Sequence, residues 1–230
     1  MAKREENDNE IKRELIKALS NCNGSFLREK MQDSVRLMTY YKCAMMEIET
    51  KFKVLSEQYS LQHDRAPISS IHTRLKSFES ILEKLTRKDL PMSLDSLEHN
   101  LNDVAGVRVV CSFLSDVYTI ADALVGQDDV RLIARKDYIK NPKKNGYRSL
   151  HLIVEVPIFL ASEKKLMKVE IQLRTIAMDC WASLEHQINY KKSYAFSEEM
   201  KRSLTACSEM SNQLDEKMDE LRRLAVSSEE

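Results

Sequence analysis

The sequence predicts an α/β (α+β) fold in which a mixed β-sheet core is flanked by helices and extended by a helix at each end. Two observations support this class. Apolar residues recur three or four positions apart in the first third of the chain and again near its C-terminus, as on one face of a helix. Between these regions, short strand-like runs alternate with helical segments. We therefore expect a helical extension over residues 1–66, a core over residues 67–192 and a C-terminal helix over residues 193–230.

The N-terminal extension is predicted to contain one long helix. Its apolar face comprises Met31, Val35, Met38, Tyr41, Met45, Ile48, Phe52, Leu55 and Tyr59. The segment 63–70 breaks this pattern, because Pro67 lies in its middle and proline does not continue a helix. We expect the core to begin there.

The first half of the core is predicted to alternate between strand and helix. Residues 71–76 are compatible with a short strand, and Ser77 is a suitable N-cap for the helix that follows. The apolar face of that helix would comprise Phe78, Ile81, Leu82 and Leu85. Residues 104–113 form a β-branched run typical of a buried strand, and a helix near residues 116–125 would end at Gly126.

Three strands and two helices complete the predicted pattern. The strands are expected near residues 130–136, 149–156 and 168–174. A helix over residues 175–191 would bury Ala177, Cys180, Trp181, Leu184 and Ile188. The last helix carries a coiled-coil-like seam of Met200, Leu204, Cys207, Ser211, Leu214, Met218, Leu221 and Ala225. This seam could pack on the core or on another subunit.

The charge of the chain argues against a general affinity for polyanions, because 36 basic residues balance 36 acidic ones. The local distribution is uneven. Residues 134–145 contain five Lys or Arg and one Asp, which favours an anion site. Residues 197–230 contain nine acidic and five basic residues, which is typical of a solvated face.

Several other classes of protein are disfavoured. The five cysteines include no CxxC pair and lie near no histidine cluster, so neither a disulfide framework nor a zinc site is indicated. The N-terminal residues are charged, unlike a signal peptide, and no apolar run approaches the ~20 residues of a membrane span. We expect a cytoplasmic protein without a membrane segment.

The segment 140–151 is the most informative stretch of the chain. It combines lysines, the turn-forming pair Asn145-Gly146, the ring of Tyr147 and the imidazole of His151. A positive φ at Gly146 would direct Tyr147 and the lysines inward rather than along a strand. Such a set could bind a nucleotide, although a basic surface hairpin would have the same pattern.

The strand 168–174 carries functional groups on one of its faces. Strict alternation places Lys168, Glu170, Gln172 and Arg174 on the same side. The solvated face of an edge strand would look alike. Asp103 stands at the entrance of another strand, where it could face a cleft beside Gly106 or cap a turn. An Asp and a Glu on neighbouring strands could hold Mg²⁺ if substrate phosphates complete its coordination.

A second set of cations surrounds the helix that Ser77 caps. Arg74 and Lys76 share a strand face that leads to the N-terminus of this helix, where free backbone N–H groups favour anions. Ser80 and Lys84 extend that position by one turn. A solvated surface would also explain these residues. Arg108 is harder to explain in that way, because an arginine inside an apolar strand needs an acceptor or a ring to stack on.

Five blocks occur in a specific order along the chain. They are RLKSFES, NDVAGVRVV, YIKNPKKNGYRSLH, VEIQLRT and MDCWASLEHQINYK. Together they resemble the RelA/SpoT-homology alarmone synthetases, over roughly residues 71–191, and the size of the chain resembles the small, single-domain branch. The resemblance implies a nucleotidyltransferase-like core. It also implies Mg²⁺-dependent transfer of the β,γ-pyrophosphoryl group of ATP to the 3′-hydroxyl of GDP or GTP, which yields AMP and guanosine tetra- or pentaphosphate.

The resemblance also implies a role for each matched residue. Asp103 and Glu170 would hold magnesium, and Glu170 would help to deprotonate the attacking hydroxyl. Around ATP, adenine would lie between Arg74 and Arg108, and the phosphates would contact Lys76, Ser80 and Lys84. Around GDP or GTP, Tyr147 would stack on guanine, with Lys143, Asn145, His151, Gln172 and Arg174 nearby.

Alternatives remain at this point. The acceptor could be another 3′-hydroxyl, such as the end of tRNA, although the near-neutral charge argues against a large RNA partner. A non-catalytic nucleotide or RNA sensor should lack Asp103 or Glu170, and both are present. The terminal helices and the resemblance favour a homo-oligomer, with a tetramer preferred to a dimer. The sequence assigns no role to Arg87 or Lys88, and His186 is expected to be structural.

Overall fold

The computed structural model describes residues 25–63, 65–190 and 197–227. Cys22 and Lys191 lie outside these residues. The helices are α1 (Ser25–His63), α2 (Phe78–Arg87), α3 (Leu94–Asn100), α4 (Leu114–Val125), α5 (Ile176–Tyr190) and α6 (Glu198–Ser227). The strands are β1 (Ile68–Leu75), β2 (Ala105–Cys111), β3 (Arg131–Asp137), β4 (Leu150–Phe159) and β5 (Lys164–Thr175). The chain divides into two units, Met1–Tyr40 and Tyr41–Glu230, and every candidate site residue belongs to the second.

The five strands form one mixed sheet in the order β1-β2-β5-β4-β3. Strands β2 and β5 are parallel, whereas the other neighbouring strands are antiparallel. Parallel neighbours need a long crossover connection, which α4, β3 and β4 provide here. The predicted mixed sheet with flanking helices is therefore confirmed.

The central strands bury one face of the sheet. Val169, Ile171 and Leu173 of β5 are fully buried, and Val107 and Val109 of β2 are buried in the same way. Burial of each such side chain contributes about 1.5–3 kcal/mol to stability. The residues between them are half-buried and polar, as the alternation predicted. The apolar face thus fixes the register that aligns the polar side chains on the opposite face.

On the apolar face of α2, Leu82 is 46% exposed. Two predicted core residues of α5 are exposed as well: Leu184 is 52% exposed, and Cys180 is also exposed. The prediction that they are buried was wrong, because periodicity identifies the apolar face of a helix but not the width of that face that the core covers. The buried residues are Ile81 and Leu85 on α2 and Met178, Trp181 and Ala182 on α5.

Helix α3 lies in a stretch for which the sequence predicted no element. Ser93 caps it by accepting the N–H of Ser96 at 3.1 Å. At its other end, Nζ of Lys168 donates to the carbonyl oxygens of Glu98 and His99 at 3.2 and 3.1 Å. Lys168 therefore joins the segment before β2 to strand β5.

Helix α6 packs on the core through polar side chains. Ser208, Asp215 and Asp219 are buried, whereas most of the predicted apolar seam is exposed. Leu214 is 54% exposed and Leu221 is 58% exposed. The apolar seam was predicted to pack either on the core or on another subunit. The structure does not show it packed on the core. Within residues 25–63, 65–190 and 197–227, no helix combines the length and apolar character that crossing a membrane requires.

Candidate active site

Cross-strand register places the predicted polar side chains on one face of the sheet. Two rows of aligned residues cross this face. The first row comprises Arg74, Gly106, Glu170 and Ile153. The second row comprises His72, Arg108, Gln172 and His151. Glu170 and the polar side chains of these rows thus share a single surface, which we call the polar face of the sheet.

Asp103 accepts hydrogen bonds from two lysines at one edge of this face. Its Oδ2 lies 2.8 Å from Nζ of Lys76 and 2.5 Å from Nζ of Lys84. Burial raises the pKa of Asp103, but the hydrogen bonds and charges of the two lysines lower it more, so its pKa lies below the usual value. The other oxygen, Oδ1, is buried without a hydrogen-bond partner. A buried carboxylate oxygen of this kind can accept a cation or a donor.

The two lysines that contact Asp103 come from different parts of the chain around α2: Lys76 precedes the helix, and Lys84 lies in its last turn. Ser77 caps this helix, and its Oγ accepts the N–H of Ser80 at 3.3 Å, as predicted. The Ser77 hydroxyl also donates to Oγ of Ser80 at 3.2 Å. A helix N-terminus that closely follows a lysine is a favourable position for phosphate oxygens. Arg87 and Lys88 lie at the opposite end of the same helix and are exposed.

Glu170 lies on β5, between a glutamine and a histidine. Nε2 of Gln172 donates to its Oε2 at 3.1 Å, and Nδ1 of His151 faces its Oε1 at 3.7 Å. Burial raises the pKa of Glu170, but His151 and then Gln172 lower it more, so that its pKa lies below that of an ordinary glutamate. Glu170 is therefore ionised at neutral pH. The charge of Asp103 opposes this shift, which indicates that the two carboxylates interact.

The hydroxyl of Tyr147 connects this carboxylate region to the loop 138–149. Nη2 of Arg174 donates to the Tyr147 oxygen at 2.7 Å, and that oxygen lies 2.9 Å from Nε2 of His151. Since arginine can only donate, the Tyr147 proton is free to be donated to Nε2 of His151. The proton on Nδ1 of His151 then faces Glu170. Arg174, Tyr147 and His151 thus form a series of donors that leads to the Glu170 carboxylate.

The loop that presents Tyr147 has the predicted turn. Gly146 has φ +90°, a region in which side chains are strained. Oδ1 of Asn145 accepts the N–H of Tyr147 at 3.2 Å, and the N–H of Gly146 donates to the Lys143 carbonyl at 2.8 Å. Nζ of Lys143 lies 4.7 Å from the centre of the Tyr147 ring and 4.8 Å from that of Tyr138. The loop thus brings an aromatic ring and a cation together.

Two arginines of the polar face share one acceptor. Oδ1 of Asp179 lies 3.0 Å from Nη1 of Arg174 and 3.3 Å from Nη1 of Arg108. Arg174 is only 6% exposed, and it also donates to Oε1 of Gln172 at 3.0 Å. Because its guanidinium is occupied by these protein groups, Arg174 orients Tyr147 and Gln172 in this structure. Arg108 is more accessible, and Arg74 on the neighbouring strand is exposed.

The structure thus brings the predicted residues together on one face of the sheet and on the loop at its edge. The sequence reasoning missed three residues there. Asp179 holds both arginines, Tyr138 packs edge-on against Tyr147 and His151, and Oε1 of Glu185 accepts from Asn145 at 3.5 Å. In the sequence, Asp179 could have been recognised only as an acidic residue in the first helical turn after β5. His186 is exposed on α5, on no part of the polar face.

The carboxylates of Asp103 and Glu170 are the predicted metal ligands. Among the residues that the structure describes, no group of three or more His, Cys, Asp or Glu side chains could hold a metal ion. Asp103 and Glu170 fit a hard cation, because one oxygen of Asp103 lacks a partner and both carboxylates have lowered pKa values.

Comparison with known proteins gives consistent matches. A family model described as a region found in RelA/SpoT proteins matches residues 73–195. The chain is 44% identical to the GTP pyrophosphokinase YwaC of Bacillus subtilis, over 84% of this chain and 91% of that protein. The small alarmone synthetase 1 of B. subtilis bound to its product pppGpp superposes with a TM-score of 0.75 at 38% identity, covering 83% of this chain and 97% of that one. The same synthetase bound to AMPCPP has a TM-score of 0.71 at 35% identity, covering 85% of this chain and 99% of that one.

Proposed function

The chain belongs to the RelA/SpoT family, and we propose that it is a pyrophosphokinase that makes guanosine tetra- or pentaphosphate from ATP and GDP or GTP. One observation carries this proposal. Two ionised carboxylates lie on one face of the sheet, with a cationic helix N-terminus beside Asp103 and an aromatic loop beside Glu170. This arrangement offers separate positions for a nucleotide donor and a nucleotide acceptor.

The donor side suits the polyphosphate of ATP. Lys76 and Lys84 supply two positive charges, both of which contact Asp103, and the Ser77-capped helix supplies oriented N–H groups next to Ser80. We place adenine between Arg74 and Arg108, because both guanidinium groups are accessible on neighbouring strands and can stack on a planar base. A relative has been solved bound to AMPCPP, which supports nucleotide binding by this chain.

The acceptor side suits a guanine nucleotide. The ring of Tyr147 is half-buried and oriented by His151 and Arg174, so it can stack on a base with little loss of side-chain freedom. Lys143 and Asn145 lie at the exposed rim of the loop, where they can contact the nucleotide, and Gln172 lies in line with His151 on the sheet. A relative has been solved bound to its product pppGpp, which supports a guanine nucleotide as the acceptor.

A magnesium ion is proposed as the cofactor. Asp103 and Glu170 would hold it, since Mg²⁺ is commonly bound by one or two carboxylates together with substrate phosphates. When bound, it would offset the charge that develops on the phosphates. Lys76 and Lys84, which contact the other oxygen of Asp103, would lie beside this ion and could bind the phosphates.

The reaction is an in-line displacement at the β-phosphorus of ATP. The 3′-oxygen of the acceptor bonds to that phosphorus, the bond to the oxygen shared with the α-phosphorus breaks, and AMP leaves with that oxygen. The proton of the 3′-hydroxyl passes to Glu170, which the low pKa keeps ionised at neutral pH. The remaining residues position the two nucleotides and stabilise charge, which is the main requirement of this chemistry.

We further propose that the protein acts as a homotetramer in the cytoplasm. The exposed apolar side chains of α6 give a surface for contact with a second copy, and they are Met210, Leu214, Met218, Leu221 and Leu224. The nucleotide substrates are cytoplasmic metabolites. Within the chain, we assign the reaction to the core over residues 67–192.

The test is a product assay with a matched acceptor control. The purified protein is incubated with ATP and Mg²⁺ and with GDP, GTP or 3′-deoxy-GDP. We expect AMP to form in equal amount with a more highly phosphorylated guanosine product from GDP and GTP, and no product from 3′-deoxy-GDP. Product from 3′-deoxy-GDP, or AMP without a guanosine product, would contradict the proposed transfer.

A further inference from the structure

Helix α6 contacts the core through hydrogen bonds that fall next to the candidate acceptor site. Its N-terminal half contacts the loop 138–149, and its middle contacts the end of β5. A helix that packs by polar groups is held by specific partners, because each buried polar atom requires a hydrogen bond. The positions of those partners therefore indicate what α6 orients.

Two consecutive residues of α6 hold the residues on either side of Tyr147. The buried hydroxyl of Ser208 donates to the carbonyl oxygen of Gly146. Oε2 of Glu209 accepts from Nη2 of Arg148 at 2.9 Å, and the same guanidinium donates to the carbonyl of Ile139 at 2.9 Å. Helix α6 thus holds the backbone of Gly146 and the side chain of Arg148, the two neighbours of Tyr147.

The glycine at position 146 is required for this contact. A Cβ on Gly146 would lie 2.8 Å from Cβ of Ser208 and 3.3 Å from Cα of Thr205. Only the absence of a side chain allows the helix to approach the loop so closely.

A third residue of α6 holds the strand end next to Arg174. The hydroxyl of Thr175 donates to Oδ2 of the buried Asp215 at 2.6 Å. The same hydroxyl accepts the N–H of Met178 at 3.1 Å and so caps α5, whose first turn contains Asp179. Helix α6 therefore contacts the chain immediately beside both members of the Arg174–Tyr147 hydrogen bond.

We infer that Ser208, Glu209 and Asp215 are positioning residues for the acceptor nucleotide, acting through Tyr147 and Arg174. This inference rests on the proposed function, because it assigns the acceptor to Tyr147. None of the three residues contacts Asp103, Lys76 or Lys84, which form the donor side. Loss of these α6 contacts should therefore weaken the acceptor and leave ATP unaffected.

The chain contains a built-in reporter of α6 packing. Trp181 is its single tryptophan, and Nε1 of this residue donates to the carbonyl of Leu204 on α6 at 2.9 Å. Separation of α6 from α5 would expose the indole and shift its fluorescence emission to longer wavelength. Emission of the folded protein thus distinguishes a local change at Ser208 from loss of the whole helix.

The experiment compares two Ser→Ala variants at the α6 interface. Ser208→Ala removes the donor to Gly146, whereas Ser115→Ala removes a hydroxyl of α4 that donates to Asp219 of α6 at 2.7 Å. Ser208→Ala should raise KM for GDP by about fivefold or more, the effect of leaving a buried carbonyl unpaired. Its KM for ATP and its Trp181 emission should match the wild type, and Ser115→Ala should leave both KM values unchanged.

Two further variants guard against a folding defect. Glu209 is largely exposed, so Glu209→Ala should fold and should also raise KM for GDP alone. Asp215→Asn should behave as the wild type in KM, because its amide oxygen can still accept from Thr175, whereas Asp215→Ala should not. An unchanged KM for GDP in Ser208→Ala and Glu209→Ala, or an equal rise in KM for ATP, would overturn the inference. Absence of product with the wild type would instead contradict the proposed function.

Discussion

The hydroxyl of Tyr147 lies 2.9 Å from Nε2 of His151, whose other nitrogen faces Oε1 of Glu170 at 3.7 Å. One histidine therefore joins the ring proposed to stack on guanine to the carboxylate proposed to accept the 3′-hydroxyl proton. This contact therefore couples the position of the guanine ring to the position of the Glu170 carboxylate. The coupling gives separable predictions for the ring and for the hydroxyl of Tyr147.

Substitution of Tyr147 should affect the two substrates unequally. Tyr147→Ala removes the stacking surface, which is worth on the order of 1–3 kcal/mol, so KM for GDP should rise by about 5- to 150-fold. Tyr147→Phe keeps the ring but loses both hydrogen bonds of the hydroxyl, so its main effect should be on kcat. Steady-state kinetics with each substrate varied in turn gives both constants. An equal rise in KM for ATP and GDP in Tyr147→Ala would show that Tyr147 does not stack on the acceptor guanine.

Glu170→Gln should abolish turnover and leave the fold intact. The amide cannot accept the hydroxyl proton and is a weaker ligand for Mg²⁺, so the rate should fall by about 100-fold or more. Glu155→Gln is the matched control, because Glu155 is a largely buried glutamate of the same sheet that pairs with Arg131. The rate of AMP formation and the thermal unfolding of both variants are the readouts. Near-wild-type activity of Glu170→Gln would show that this carboxylate is neither base nor ligand.

Much of this site could be predicted from the sequence, since strand alternation aligns Glu170 with Gln172 and the Ser77 cap locates the helix N-terminus. The parallel pairing of β2 with β5 could not, because strand order depends on contacts between residues distant in the sequence. The same limit applies to Asp179, which becomes a partner of Arg108 only through that pairing. Helix α3 was missed because seven residues are too few to show a helical period.

The polar packing of α6 was also outside the reach of sequence reasoning. A seam of leucines and methionines normally identifies the buried face of a helix. Here Ser208, Asp215 and Asp219 are buried instead, since the loop 138–149, the end of β5 and Ser115 of α4 offer matching hydrogen-bond partners. Only the tertiary structure reveals those partners.

Lys84→Met should weaken the donor nucleotide selectively. Removing a charged donor to phosphate costs about 1.5–3 kcal/mol, so KM for ATP should rise by roughly tenfold or more, with KM for GDP within about twofold of the wild type. Lys88→Met is the control, because Lys88 is the exposed C-cap of α2, whereas the side chain of Lys84 reaches Asp103. If both variants behave alike in the kinetic assay, Lys84 does not contact the phosphates.

Asp215→Asn should stabilise the protein above pH 6. Burial raises the pKa of Asp215 to about 6, with Asp219 and Glu216 adding to the rise and Thr175 and Arg148 opposing it. Since the folded-state pKa is the higher one, the charged form carries a cost that is absent below about pH 4 and complete above pH 6. Urea unfolding at pH 8 should show a gain of roughly 1–3 kcal/mol for the variant. That gain should vanish towards pH 4, and a variant that is less stable at pH 8 would contradict the argument.

The exposed apolar side chains of α6 predict a self-association surface. Leu214→Glu with Leu221→Glu should reduce the proposed tetramer to smaller species, because both leucines are more than half exposed in the single chain. Light scattering after size-exclusion chromatography measures the mass. The control is Leu61→Glu, because Leu61 on α1 is 89% exposed, more than either leucine of α6. A monomeric wild type would contradict the oligomer directly.

The transfer of label from ATP tests the central claim most directly. ATP labelled at the β-phosphorus is incubated with the protein, Mg²⁺ and GDP, and the nucleotides are separated. The account predicts that the label appears in the guanosine product and that AMP is unlabelled, since the β- and γ-phosphates move together to the 3′-oxygen. Label recovered in ADP or in free pyrophosphate, with none in a guanosine product, would contradict it.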